Sequence, residues 1–221
     1  MIITISQTAS NIKQSYTVEG DQFYFQGENG KFNRHQKITL SNEKDTITGT
    51  FTPTKWYNHI PYRYLFGGTN LTRLFLLYKN ASLYGSIVFS EHGFLKSFYV
   101  IALNDGEIIH CYTLSKGSFH YVSVYMGDQQ IALIETYLTV TNYKYTHKLY
   151  LLDEYRNLAE ALSFFTLYYA NYHFAKRFHM SAGTVYEKAW SFSKYQKKYQ
   201  ADWRETHFPN ENFFGKINLF D

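Results

Sequence analysis

Residues 143–175 read YKYTHKLYLLDEYRNLAEALSFFTLYYANYHFA, and the change of period inside them decides the fold. The first nine follow the period of two that a strand requires. Asp153 and Glu154 then interrupt the alternation. From Leu158 the spacing becomes helical, with Leu158, Ala161, Leu162, Phe165, Tyr169 and Tyr172 on one face. Phe164, Leu167 and Tyr168 widen that stripe well past half the circumference. A helix apolar nearly all round has to be enclosed by protein or lipid. The apolar run 158–170 is shorter than the roughly 20 residues a bilayer crossing needs, and Asn157, Glu160 and Asn171 bracket it closely. The pattern predicts a buried core helix over about 153–178. Its acidic first turn meets the positive end of the helix dipole, and Lys176, Arg177 and His179 sit near the negative end.

Working outward, the enclosure is supplied by the chain itself. Short β-patterned runs occupy 22–26, 36–40, 45–51, 73–79, 82–89, 94–103, 107–114, 119–126, 130–137 and 143–151. Turn chemistry separates them: Gly27-Glu28-Asn29-Gly30, Asn80-Ala81, Asn104-Asp105-Gly106 and Gly127-Asp128. The long connection 52–72 carries Trp56, Tyr57 and Tyr62, which are expected to cover one barrel mouth. The fold class that follows is mainly β: a closed antiparallel β-barrel of about 10–12 strands around a central hydrophobic α-helix, with a C-terminal helical extension. The barrel and its helix are assigned to 1–180 and the extension to 181–221.

Composition fits this reading. Aromatics make up 20% of the 221 residues, with 22 Tyr and 19 Phe, the residue types that fill half-buried pleated surfaces. A net charge of +4 does not by itself demand a polyanionic partner. Cys111 is the sole cysteine and sits in an alternating run, where a small buried hydrophobe is expected rather than a reactive thiol. The opening residues Met1-Ile2-Ile3-Thr4-Ile5-Ser6 lack the features of a secretory signal, which places the expectation in the cytoplasm.

The element order is similar to one known family. Gly127-Asp128-Gln129-Gln130-Ile131-Ala132 opens a penultimate strand, a Tyr-rich closing strand follows over 143–151, and an acidic turn leads into the helix over 158–172. Together these resemble the tubby-like superfamily, which includes LURP-one-related proteins and phospholipid scramblases. The resemblance covers 22–175 in element order and is specific in residue detail from about Phe119. It implies a barrel of about twelve strands closed on one hydrophobic helix, and phosphoinositide-responsive adaptor function. No Lys or Arg here aligns with that family's lipid pocket, and no acidic cluster matches a scramblase-like calcium site. The chain also departs from the family by continuing through Asp221.

Catalytic chemistry finds no signature. The nine His are scattered without the H-x-x-x-H spacing of a helical metal pair, leaving only a cross-hairpin pairing such as His110 with His120. There is no G-x-S-x-G elbow and no glycine-rich phosphate loop ahead of a helix. No catalytic residue, metal ligand set or cofactor is assigned, and the chain reads as non-enzymatic.

The positive signal is C-terminal. The segment 184–205 is predicted as a second helix, with Val185, Ala189, Phe192, Tyr199 and Trp203 along one side. Lys188, Lys194, Lys197, Lys198 and Arg204 lie mostly elsewhere and are the candidate lipid-binding residues. Three readings stay open: a solvated helix docked on the barrel, peripheral association with anionic phospholipid at the inner membrane face, and, least favoured, nucleic acid. The functional expectation is a binding or adaptor module held at anionic lipid by that helix. The alternative is a scaffold that self-associates or binds a protein partner through the aromatic tail around Phe213 and Phe214.

Overall fold

The structure is a computed structural model describing residues 1–10, 13–30, 37–52, 70–91, 96–117, 119–142, 144–174, 184–186, 189–190 and 194–211. Trp56, Tyr57, Tyr62, Phe213 and Phe214 therefore lie outside the described residues. The strands are β1 (Ile2–Ser10), β2 (Lys13–Gly20), β3 (Phe23–Gly30), β4 (Lys37–Ser41), β5 (Thr46–Thr52), β6 (Asn70–Lys79), β7 (Ser82–Glu91), β8 (Ser97–Leu103), β9 (Ile108–Gly117), β10 (Phe119–Met126), β11 (Gln129–Tyr137), β12 (Thr139–Thr141) and β13 (Thr146–Leu151). β1 to β11 run antiparallel in sequence order, β13 joins β11 to β1, and the β9–β10 pairing completes a closed ring of twelve. Ten of these answer to the predicted runs. β1 and β2 were missed there, although Ile3, Ile5, Tyr16 and Val18 alternate into the core.

A 3-10 turn, Asp153–Leu158, follows β13 and leads into α1 (Ala159–His173), which runs down the barrel. Twelve of its residues are buried, on every side. Its rings meet opposite walls: Phe164 and Tyr168 lie on Phe75 of β6, Phe165 and Tyr169 on Tyr99 of β8, and Tyr169 on His120 of β10. The wall thins where the helix comes closest. A Cβ on Gly27 would stand 2.6 Å from Leu167, and one on Gly49 would stand 2.6 Å from Phe164. Each fully buried Leu or Phe on this helix contributes about 1.5–3 kcal/mol of transfer free energy.

The predicted single helix over 184–205 does not form; the helical region is broken. β14 (Thr184–Tyr186) pairs with β12, and β15 (Ala189–Trp190) pairs with the end of β9. A 3-10 turn, Lys194–Lys198, and the short α2 (Trp203–His207) come next. The physical reason is the wall beneath. Leu114, Tyr121, Leu133 and Tyr150 point outward from β9, β10, β11 and β13, and Tyr199 and Trp203 close over them as a second small core. A straight helix would present one stripe, whereas this strap follows a twisted sheet.

Candidate functional site

The ring has two unlike rims. α1 enters at the rim formed by the turns around Asp21, Asn42–Asp45, Asn80, Asp105 and Asp128, and leaves at the other. Nine carboxylates gather at the entry rim: Asp21, Glu43, Asp45, Asp105, Glu107, Asp128, Asp153, Glu154 and Glu160. Among the described residues Lys44, Lys79 and Arg156 oppose them, together with the Met1 ammonium 2.7 Å from Asp153 and Lys198 3.9 Å from Asp128, so nine carboxylates face five cations and the rim stays four units negative. Several of these charges are locally matched. Lys79 Nζ lies 2.6 Å from Glu160 and 3.6 Å from Asp45, and Gln129 donates to Glu154. At the exit rim, Lys37 opens β4, Lys96 precedes β8, Lys116 nears the end of β9 and Lys144 precedes β13, against Glu28 and Glu91. Lys37, Lys96 and Lys144 are exposed.

The tail residues do not assemble as expected. Lys188 lies outside the described residues. Lys194 and Lys197 are exposed, and Lys198 is half-buried, its Nζ 4.8 Å from the Tyr125 ring centroid and 3.9 Å from Asp128. Arg204 is corrected outright. Only 4% exposed, it pairs with the buried Glu135 carboxylate under the strap, where Tyr150 donates a second hydrogen bond to Glu135. Burial pushes the Glu135 carboxyl above its usual range, against the pull of Arg204. Tyr199 and Trp203, two aromatics of the face expected to enter a membrane, are instead packed on the barrel wall.

Among the described residues, the two histidines expected to pair across a hairpin do not meet. His110 faces outward and pairs across the hairpin with Tyr125, whereas His120 faces inward opposite Ser115, so the two do not converge. His120 Nδ1 bonds the Ser115 hydroxyl and its Nε2 bonds Tyr169 Oη at 2.7 Å. A neutral imidazole has one donor and one acceptor, which satisfies both bonds without charge. Burial, with His173 and His147 nearby, holds His120 well below its ordinary pKa. A general base needs a pKa near the working pH and access to substrate, and this closed network supplies neither. Cys111 is fully buried and burial pushes its thiol up, opposite to the shift that activates a nucleophile. Among the described residues no three His, Cys, Asp or Glu side chains are grouped to hold a metal, and no helix is long and apolar enough to cross a membrane.

Sequence reading missed the exit-rim lysines because each is unremarkable alone. The available signal was alternation between connections: those after β2, β4, β8 and β10 are acidic, and only the ring topology puts them on one rim. No family model matches the chain, and neither a curated protein nor a solved structure matches it.

Proposed function

We propose that the chain is a non-enzymatic binding module of the tubby-like kind that meets anionic phospholipid with its exit rim. The observation that carries this is the charge separation along the barrel axis. A body negative at one rim and positive elsewhere is oriented by an anionic surface before it touches. Each Lys brought near such a surface contributes about 1 kcal/mol, screened within a Debye length. The enclosed helix and twelve-strand ring support the tubby-like reading, since that is the architecture the resemblance implies. The tail serves here as a strap whose Tyr199 and Trp203 pack on the wall, and its exposed Lys194 and Lys197 add positive charge.

Flotation with phosphatidylserine-containing and purely phosphatidylcholine vesicles tests this. Binding is expected only to the anionic vesicles, weakening as salt rises. Replacing Lys37, Lys96 and Lys144 together with Gln is expected to abolish it, while the same change at Lys194, Lys197 and Lys198 leaves most of it. The reverse ranking would return the site to the tail, and equal binding to neutral vesicles would end the electrostatic account.

A further inference from the structure

The barrel wall is notched beside the entry rim. β4 pairs with β3 only over Gln26 to Gly30, so Phe23, Tyr24 and Phe25 run past their last partner on that side. The turn joining β4 to β5 stands across the gap. Together they form an open groove of about 630 Å³ lined by Gln22, Tyr24, Gln26, Ser41, Asn42, Glu43 and Lys44. That size falls within the range of small-ligand sites.

Three features select the ligand's chemistry. Tyr24 is 51% exposed, one of three large apolar side chains so placed among the described residues, and Gln26 Nε2 donates to its hydroxyl at 3.4 Å. The lining is charge-neutral, since Glu43 and Lys44 cancel, and the rest beside the ring is amide and hydroxyl. Amides both donate and accept, which matches ligand hydroxyls that do the same. Asn42 is already oriented: its Oδ1 accepts from the Lys44 and Asp45 backbone N–H groups at 2.9 and 2.7 Å, leaving its amide hydrogens to donate. Gln22, which also lines the groove, stands at φ +56°, where glycine would sit without strain.

We propose that this groove binds a short neutral saccharide, one pyranose face stacked on Tyr24 and its hydroxyls meeting Gln22, Gln26 and Asn42. An anionic ligand would meet Glu43 as well as Lys44. An apolar one would strip water from the amides and return no hydrogen bonds. The groove lies beside the acidic rim, away from the lysines assigned to lipid, so the two proposals stand or fall separately.

Saturation-transfer NMR on the full chain tests it with maltose, cellobiose and diacetylchitobiose as separate millimolar probes. At least one is expected to receive saturation. Tyr24→Ala should weaken that binding about tenfold, the loss of one stacking contact, with the melting temperature unchanged because the side chain is exposed. Gln22→Gly should also weaken binding while leaving the melting temperature level or higher, since it relieves the backbone. Gln26→Ala supplies a third variant if Tyr24→Ala proves unfolded. No transfer to any of the three probes, or transfer indifferent to these variants, overturns the proposal.

Discussion

Strands β10 and β11 are buried on both faces from His120 to Tyr125 and from Gln130 to Thr136, whereas β3 and β4 alternate between core and solvent residue by residue. The two regions belong to one ring and face the same central helix, so the inner face cannot explain the contrast. The outer face does. On one side the wall carries Leu114, Tyr121, Leu133 and Tyr150 outward beneath the strap; on the other it carries the half-buried Thr39 and Thr48 and the exposed Thr50. A strand covered twice reads as a continuous apolar run, and a strand covered once reads as alternation. Stability in the covered half therefore rests on contacts between segments far apart in sequence, and in the bare half on local pairing and turns.

The largest effect should come from the buried ion pair that fastens the strap. Arg204→Ala leaves Glu135 buried without its cation, a change that costs about 3–5 kcal/mol when a buried pair loses one partner. The double replacement Arg204→Met with Glu135→Leu is expected to recover most of this, because apolar side chains suit the surrounding rings. Urea unfolding of the three proteins measures both. If the single variant were as stable as the parent, the strap would not be seated as described.

Acidification should act next, on the interior of the same half. His147 is completely buried, its Nδ1 is 2.9 Å from Thr136 Oγ1, its Nε2 has no hydrogen-bond partner, and burial lowers its pKa to about 3. A base whose folded pKa lies below its unfolded value of about 6.5 leaves stability level above that pH. Below it, the unfolded chain takes up a proton that the fold refuses, and stability falls until about pH 3. Between pH 6.5 and 4.5 the loss from this residue is about 2–3 kcal/mol, with His120 acting in the same direction. Urea midpoints at the two pH values, compared with a His147→Gln variant of flatter response, isolate the contribution. An identical pH slope in both would remove His147 from the account.

In the bare half the inner face is the sensitive one. Gly49→Ala on β5 pushes a methyl into Phe75 and Phe164, and overpacking of this kind costs about 1–3 kcal/mol. The neighbouring outward change Thr50→Ala is expected to stay within about 0.5 kcal/mol. A thermal melt of each variant distinguishes them, and equal losses would mean that the bare outer face is covered after all.

The helix and the ring were legible because each rests on a local period. Leu158 to Tyr172 had to be enclosed, and the alternating runs supplied an enclosure of nearly the right strand number. β1 and β2 carry the same signal, since Ile3, Ile5, Tyr16 and Val18 show the ordinary alternation. The strap was not legible for a physical reason. Val185, Tyr199 and Trp203 do fall at helical spacing, but spacing cannot say whether their surface meets solvent, lipid or the chain's own wall. The clue lay elsewhere, in the apolar run 131–134 and in 121–125, where Ser123 alone interrupts apolar residues on both faces, a pattern that calls for a cover on the outer face. The exit-rim lysines and the Tyr24 groove lacked even that clue, because ring closure and the unequal lengths of β3 and β4 bring their members together.

The smallest effect has the opposite sign and tests the claim that the bare half depends on its turns. Asn80 and Ala81 join β6 to β7 with φ of +49° and +68°, the left-handed pair of a two-residue hairpin. Such turns favour Asn followed by Gly, because the second position bears a Cβ at a steric cost. Asn80 is suited to its place: its Oδ1 accepts from the Thr46 N–H, and its Nδ2 donates to Asp45 on the neighbouring turn. Ala81 gains nothing comparable and is exposed, so Ala81→Gly removes strain without removing packing. The relief is partly offset by the greater freedom glycine gives the unfolded chain. A net gain of about 0.5–1 kcal/mol is expected, read as a higher urea midpoint with unchanged slope. A loss instead would mean that the hairpin is held by the strands around it, and the distinction between a locally built half and a strapped half would then rest on burial alone.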